Sequence, residues 1–441
     1  MNKKNLCIIF MFGFIPTLLF GMVINTNQSA EYIRMMNRNA STDLDAALYN
    51  PAGLTQLEDG LFLYLSSQTI WQSRTVKAAF PAYNSPTFEG KTFVPTFPNA
   101  YFAYKKAKLA FFGGFMPIGG GGSAEFPKGL PLFDRQLAQL VGLPATTLIT
   151  KGLPPDIANA VGTINGYSVD AAFNGSSIYF AGQGGAAYQV NKLLSVALGL
   201  RYVYALNTYE GSLKNAVLKA ENGNITGFIP DMSVDSKRTG SGITGLIGLN
   251  VVPWENLNIG LRYEHITKLQ LEADTKKDDT KGVISPEGMF PDGAVYNEDI
   301  PGQFGAGIGL NFPPKLKLQV SFNYFLNTQC NWDGDEEKVT NDFNTGVGLE
   351  YQVIDALSAS IGYLFSTTGA TDEYQTDLDY SLASNTIGAG IKYAMNENLD
   401  ISVATSNTFY IEGHNDDVGT IFEEKYQKTA FVIAFGIQYK F

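Results

Sequence analysis

The chain carries few residues with which to do covalent chemistry. Its histidines are His265 and His414, and its cysteines are Cys7 and Cys330. His265 falls on the apolar parity of its segment, and His414 stands in an acidic stretch beside Asp416 and Asp417. No serine or cysteine has a partner at a spacing that would activate it as a nucleophile. No Cys/His set has metal-ligand spacing, and no phosphate-cradling glycine loop is present. The acidic runs Asp274–Asp279 and Asp333–Glu337 hint at calcium but lack the spacing of a calcium loop, and solvated charge accounts for them. No catalytic residue, metal or cofactor is expected. What remains is binding chemistry. Arg201, Arg262 and Lys317 lie on small, polar strand faces, where each either meets the carboxylate of a ligand or pairs with an acid such as Glu264 or Glu350. Phe133, Leu137, Leu140 and Val141 recur at helical spacing in a long connection. They either line a greasy groove or pack that connection onto its neighbours.

These side chains need strands to hold them, and the last thirteen residues, Thr429 to Phe441, show the pattern. Phe431, Ile433, Phe435, Ile437, Tyr439 and Phe441 alternate with Val432, Ala434, Gly436, Gln438 and Lys440. A strand sends alternate side chains to opposite faces, so one face is wholly apolar and the other small or polar. In a soluble sandwich the apolar face is core. In a membrane barrel it meets lipid, and the small face lines the lumen. About fourteen segments have this rhythm, near 60–72, 99–106, 107–116, 177–190, 194–212, 239–252, 257–273, 301–312, 315–330, 341–352, 356–366, 384–394, 398–412 and 427–441. Short connections such as Val190–Leu193 and Pro313–Pro314 alternate with long ones, of which 117–176 is the longest. Short turns at one rim and long loops at the other belong to outer-membrane barrels, and a sandwich has no reason to sort its connections so. The expected fold is therefore all-β, a transmembrane antiparallel barrel of about fourteen strands over residues 60–441.

Composition agrees. Aromatics make up 13% and charged residues 17%, the latter below the roughly 25% of soluble domains. A net charge of −11 argues against nucleic acid as a partner. Lys3 and Lys4 followed by the apolar run Leu6 to Phe20 read as a secretory leader over residues 1–21. After it no apolar run is long enough for a spanning helix. With the leader removed Cys330 stands alone, so no internal disulfide can form. Residues 22–59 are polar, with short helical turns at Ala30–Met36 and Asp43–Tyr49, and form either a disordered leader or a plug within the lumen.

The stretch from Asn37 to Gly60, NRNASTDLDAALYNPAGLTQLEDG, resembles the N-terminal plug of the FadL family of outer-membrane transporters for long-chain fatty acids and other hydrophobic compounds. The resemblance rests on Asp45 to Leu54, above all Asn50-Pro51-Ala52, shortly before the first strand. It implies a fourteen-stranded barrel closed by an N-terminal hatch, with capture among the outer loops, a pocket in the barrel, and lateral exit beside a kinked third strand. Asn50, Pro51 and Ala52 would be the hatch motif facing that kink. Gly113-Gly114 would form the kink, since adjacent glycines weaken a strand, or would simply allow close packing beneath the plug. The implied function is passive transport in the outer membrane of a Gram-negative bacterium, by a monomer in contact with its lipid. The implied ligands are fatty acids, detergent-like lipids or similar hydrophobic and amphiphilic molecules. A general or substrate-selective diffusion porin is the competing reading.

Overall fold

The structure, a computed structural model, describes residues 29–78, 83, 85–150, 152–283, 285–415 and 423–441. The expected leader, the Asn-rich residues after it, and Asp416 and Asp417 lie outside the described residues. Fourteen antiparallel strands close into one barrel. In chain order they are β1 (Gly60–Ala78), β2 (Thr87–Lys106), β3 (Leu109–Phe126), β4 (Ile164–Gln189), β5 (Leu194–Ala220), β6 (Met232–Trp254) and β7 (Leu257–Glu264). There follow β8 (Gln303–Phe312), β9 (Leu316–Phe325), β10 (Asp342–Ile354), β11 (Leu357–Ser366), β12 (Ser384–Asn396), β13 (Leu399–Tyr410) and β14 (Glu424–Lys440). Each pairs with the next, and β1 pairs with β14 from Phe62↔Lys440 to Ala78↔Glu424, which closes the cylinder. The alternation has its expected consequence. Leu198, Leu200 and Tyr202 on β5 are exposed on the outer wall, whereas Ala197, Arg201 and Val203 between them are buried inside. Such a greasy exterior is untenable in water and suits hydrocarbon.

Several strands run further than the sequence suggests. β2 begins at Thr87 rather than near 99, β3 extends to Phe126, and β4 begins at Ile164. The expected loop 117–176 thus contracts to the connection between Phe126 and Ile164, which holds α3 (Pro131–Ala138), α4 (Ala145–Ile149) and α5 (Pro155–Val161). The seventh segment breaks after Glu264 and resumes as Gln270–Asp278, which still pairs with β6.

The N-terminal segment lies inside the barrel as a plug. It consists of α1 (Ala30–Met35), α2 (Ala46–Tyr49) and a 3₁₀ turn, Pro51–Gln56. The Ser29 side chain caps α1 by accepting from the Tyr32 amide at 3.0 Å, with Glu31 in the first turn and Arg34 in the last. Six residues cannot sustain a helix in water, so the wall must hold it. Inward glycines let it come close: a Cβ on Gly388 would stand 2.0 Å from the Ile33 carbonyl oxygen, and one on Gly348 2.3 Å from that of Met35. Buried charge fixes the rest. Arg34 pairs with Glu31 at 2.5 Å and with Glu350 of β10. Arg38 pairs with Asp45 at 2.6 Å and Asp43 at 2.5 Å. Asn39 donates to the Phe322 carbonyl at 3.1 Å and to the Asn323 side chain at 2.8 Å.

Candidate functional site

Three places along the barrel axis bear on function: the loop core over the mouth, the plugged lumen, and the wall between β2 and β3. At the mouth, α3 opens on Pro131, whose missing N–H costs nothing at a helix start. Its first turn is tied down by the Leu132 amide, which donates to Asp377 at 2.6 Å, and its middle by Arg135, which pairs with Glu424. Phe133, Leu137 and Leu140 are buried in one apolar cluster with Leu148, Phe173 and Tyr209, and Val141 packs against it. Here they pack the loop onto its neighbours.

The lumen cations are already partnered. Arg201 meets Glu264 at 2.5 Å and donates to Gln183, whose own amide reaches the Ala47 carbonyl of the plug at 2.6 Å. Arg262 shares the same Glu264. Lys317 lies 3.6 Å from Asp43 of the plug. Glu350, the other acid expected to pair across the lumen, is taken by Arg34 instead. Unpaired charge in a confined low-dielectric space is costly, and here each of these cations sits on a carboxylate.

Asn50 does not face the third strand. Its side-chain amide donates to the Leu249 carbonyl of β6 at 2.9 Å and lies against Gly248 and Gly260. The cause is local. Pro51 forces Asn50 into an extended conformation (φ −157°, ψ 91°) that ends α2 and turns its side chain toward β6 and β7. Pro51 then opens the 3₁₀ turn, Ala52 is fully buried, and Thr55 bonds to Ser195 at 2.7 Å. The turn and α2 rest on the lumen side of β2 to β6.

Gly113 and Gly114 are regularly paired on both sides, with Phe102 and Tyr101 of β2 and with Gly184 and Gln183 of β4. The rings of Phe102 and Tyr101 lie over them, so that a Cβ would meet ring atoms at 2.4 and 2.8 Å. The two glycines allow this close packing, and the register shifts of β3 come further on. Its register against β4 shifts at Pro117/Gly119 and again at Gly120/Gly122, with φ of +85° at Gly120 and +78° at Gly122. Across the other edge, β2 and β3 have no paired residues between Ala100↔Phe115 and Lys91↔Glu125. Pro95 and Pro98 fall in that stretch of β2 and Pro117 in that of β3, and proline has no N–H to give a ladder. Beside the gap Asn99 is buried, and neither polar atom of its side chain has a partner. On the outer wall at the top of the gap, Trp71, Phe93 and Phe431 cluster with ring centroids 5.6 and 5.7 Å apart, as in an interfacial girdle. Prolines inside a run of alternating residues were the available sequence signal for this seam.

Neither a protein-family model nor a curated protein matches the chain. Solved structures do. A FadL homologue of Pseudomonas aeruginosa superimposes with a TM-score of 0.66 at 14% identity, over 96% of this chain and 100% of that one. The toluene transporter TodX of P. putida gives 0.57 at 13% identity, over 91% and 95%. The toluene transporter TbuX of Ralstonia pickettii gives 0.54 at 16% identity, over 90% and 94%. At such identities the likeness is one of architecture, and it covers plug and wall together. In fold the chain is a FadL-type barrel.

Proposed function

We propose that the protein is a passive uptake route for hydrophobic compounds across a Gram-negative outer membrane. Solute is captured among the outer loops, enters the lumen above the plug, and leaves sideways through the unpaired stretch between β2 and β3 while the plug blocks the axial way down. The observation that carries this reading is the run of that stretch: it opens beside Asn99, which pairs with Ser66, the residue that accepts from the Ala30 amide of the plug, and its other end lies by the aromatic cluster of Trp71, Phe93 and Phe431. The toluene transporters of the same fold support the substrate class. Energetics suffice without coupling to an energy source. Removing roughly 300 Å² of apolar solute from water is worth about 7 kcal/mol before ordering costs.

The test restores the missing donors. Pro98→Val together with Pro117→Val should let the two strands pair, cutting uptake of labelled toluene or laurate several-fold while heat-modifiable migration shows a normally assembled barrel. Undiminished uptake in an assembled variant would exclude the sideways route. A diffusion porin, by contrast, would conduct ions steadily through planar bilayers, whereas a barrel plugged by buried ion pairs should be nearly silent.

A further inference from the structure

The interrupted ladder between β2 and β3 leaves one polar side chain turned inward. At its upper end a Cβ on Gly122 would stand 2.6 Å from the Val94 side chain, so the two strands touch again there. Between that contact and the pair Ala100↔Phe115 run Pro95 to Asn99 on β2 and Met116 to Gly121 on β3. The polar side chains in this frame are Thr96, which is exposed, and Asn99, which is 3% exposed. Asn99 shares its strand face with Phe97 and Tyr101, both buried on the lumen side. Met116, the first residue of the gap on β3, and Ile118 are buried and apolar. An amide in such surroundings needs hydrogen bonds. Gln183 and Asn258, likewise inward on the wall, donate to the Ala47 and Ala40 carbonyls of the plug at 2.6 and 3.0 Å. In Asn99 neither the NH2 nor the carbonyl is bound, and among the described residues it alone has two such buried side-chain atoms. Ser66, opposite it on β1, is engaged with the plug, since its hydroxyl accepts from the Ala30 amide at 3.2 Å.

We infer that Asn99 is a specificity-determining residue of the seam, favouring neutral solutes that carry a hydroxyl or carbonyl group over hydrocarbons of the same shape. The inference rests on the uptake reading and names a solute class within it. A solute that leaves water for the seam keeps its apolar gain but loses the hydrogen bonds of its polar group. Asn99 replaces them. Its NH2 donates to a hydroxyl or carbonyl oxygen, and its carbonyl accepts from a hydroxyl. The same contact satisfies an amide that the fold leaves bare, so both sides gain, and a hydrocarbon supplies neither bond. Pro95, Pro98 and Pro117 keep the station open, because none has an N–H with which to close the ladder over it.

The experiment compares p-cresol with p-xylene, which differ by a hydroxyl in place of a methyl group, as labelled uptake into cells above the rate of cells lacking the protein. Asn99→Leu keeps the volume of the side chain and removes its amide. It should slow p-cresol about fivefold, the worth of one neutral hydrogen bond, and leave p-xylene as fast or faster. Thermal unfolding of this variant should be unchanged or raised, because a bare buried amide gives way to an apolar group of similar size. An unchanged p-cresol rate, or an equal change in both solutes, overturns the inference. So does a variant that unfolds earlier or fails to assemble, since the amide would then be bound within the fold itself. If wild type admits both solutes in any of those cases, only the role of Asn99 has failed. If wild type admits neither above background, the uptake reading has failed and the inference with it.

Discussion

At the scale of single residues, plug backbone and wall glycine come within contact at several points. Gly260 leaves room for the Asn39 carbonyl, Gly346 for that of Met36 and Gly388 for that of Ile33, each at a distance no Cβ could tolerate. A β-branched side chain there cannot be absorbed by rotamer changes, because the opposing atom is backbone. Gly388→Val should therefore lift α1 from the wall at a cost of about 1–3 kcal/mol and convert a quiet barrel into one with frequent single-channel openings. Silent traces from the assembled variant would show that α1 is not seated there. Arg34→Gln attacks the same contact by charge. It leaves Glu31 buried and Glu350 half-buried without their cation, and breaking a buried pair such as that with Glu31 costs about 3–5 kcal/mol. The plug of that variant should become accessible to protease from the turn side, and equal protection in both proteins would count against the ion pairs as its fastening.

Among the elements, β5 explains why the strands were easier to count than to measure. From Leu194 to Leu206 its even positions are apolar and face outward. Past Leu206 the even positions become Thr208, Glu210, Ser212 and Lys214, while Tyr209 and Leu213 on the odd face are buried in the loop core. The grease changes sides where the wall leaves the lipid, so a search for one continuous rhythm stops at the change although the strand continues. The number of strands, the short turns and the helices near 30–36 and 131–141 were legible because period 2 and period 3.6 are local properties. The facing of Asn50 and the pairing of Arg201 were not, because they depend on which of fourteen strands stands across the lumen. The seam fell between: Pro95, Pro98 and Pro117 were visible in the sequence but read as loop. The loops themselves carry a pH dependence. Burial raises Glu298 to about 7 and Asp379 to about 6, against ordinary values near 4. The folded loops thus retain protons that an unfolded chain releases, and their stability falls as pH rises from about 4 through 7. Limited proteolysis should cut the outer loops faster at pH 8 than at pH 5, and the opposite order would contradict the burial of these acids.

As a whole, the molecule keeps its two joints apart. The cylinder is shut along β1 and β14 by seventeen consecutive residue pairs, from Phe62↔Lys440 to Ala78↔Glu424, while the interrupted ladder lies two strands further round. That interruption is bounded below by the pairs from Ala100↔Phe115 to Lys106↔Leu109 and above by Lys91↔Glu125. It is a window in a hoop that stays intact, framed on every side. On the sideways route proposed above, passage through a framed window would favour slim or pliant solutes. Bulky fused-ring molecules would be turned back by girth alone, however greasy they are.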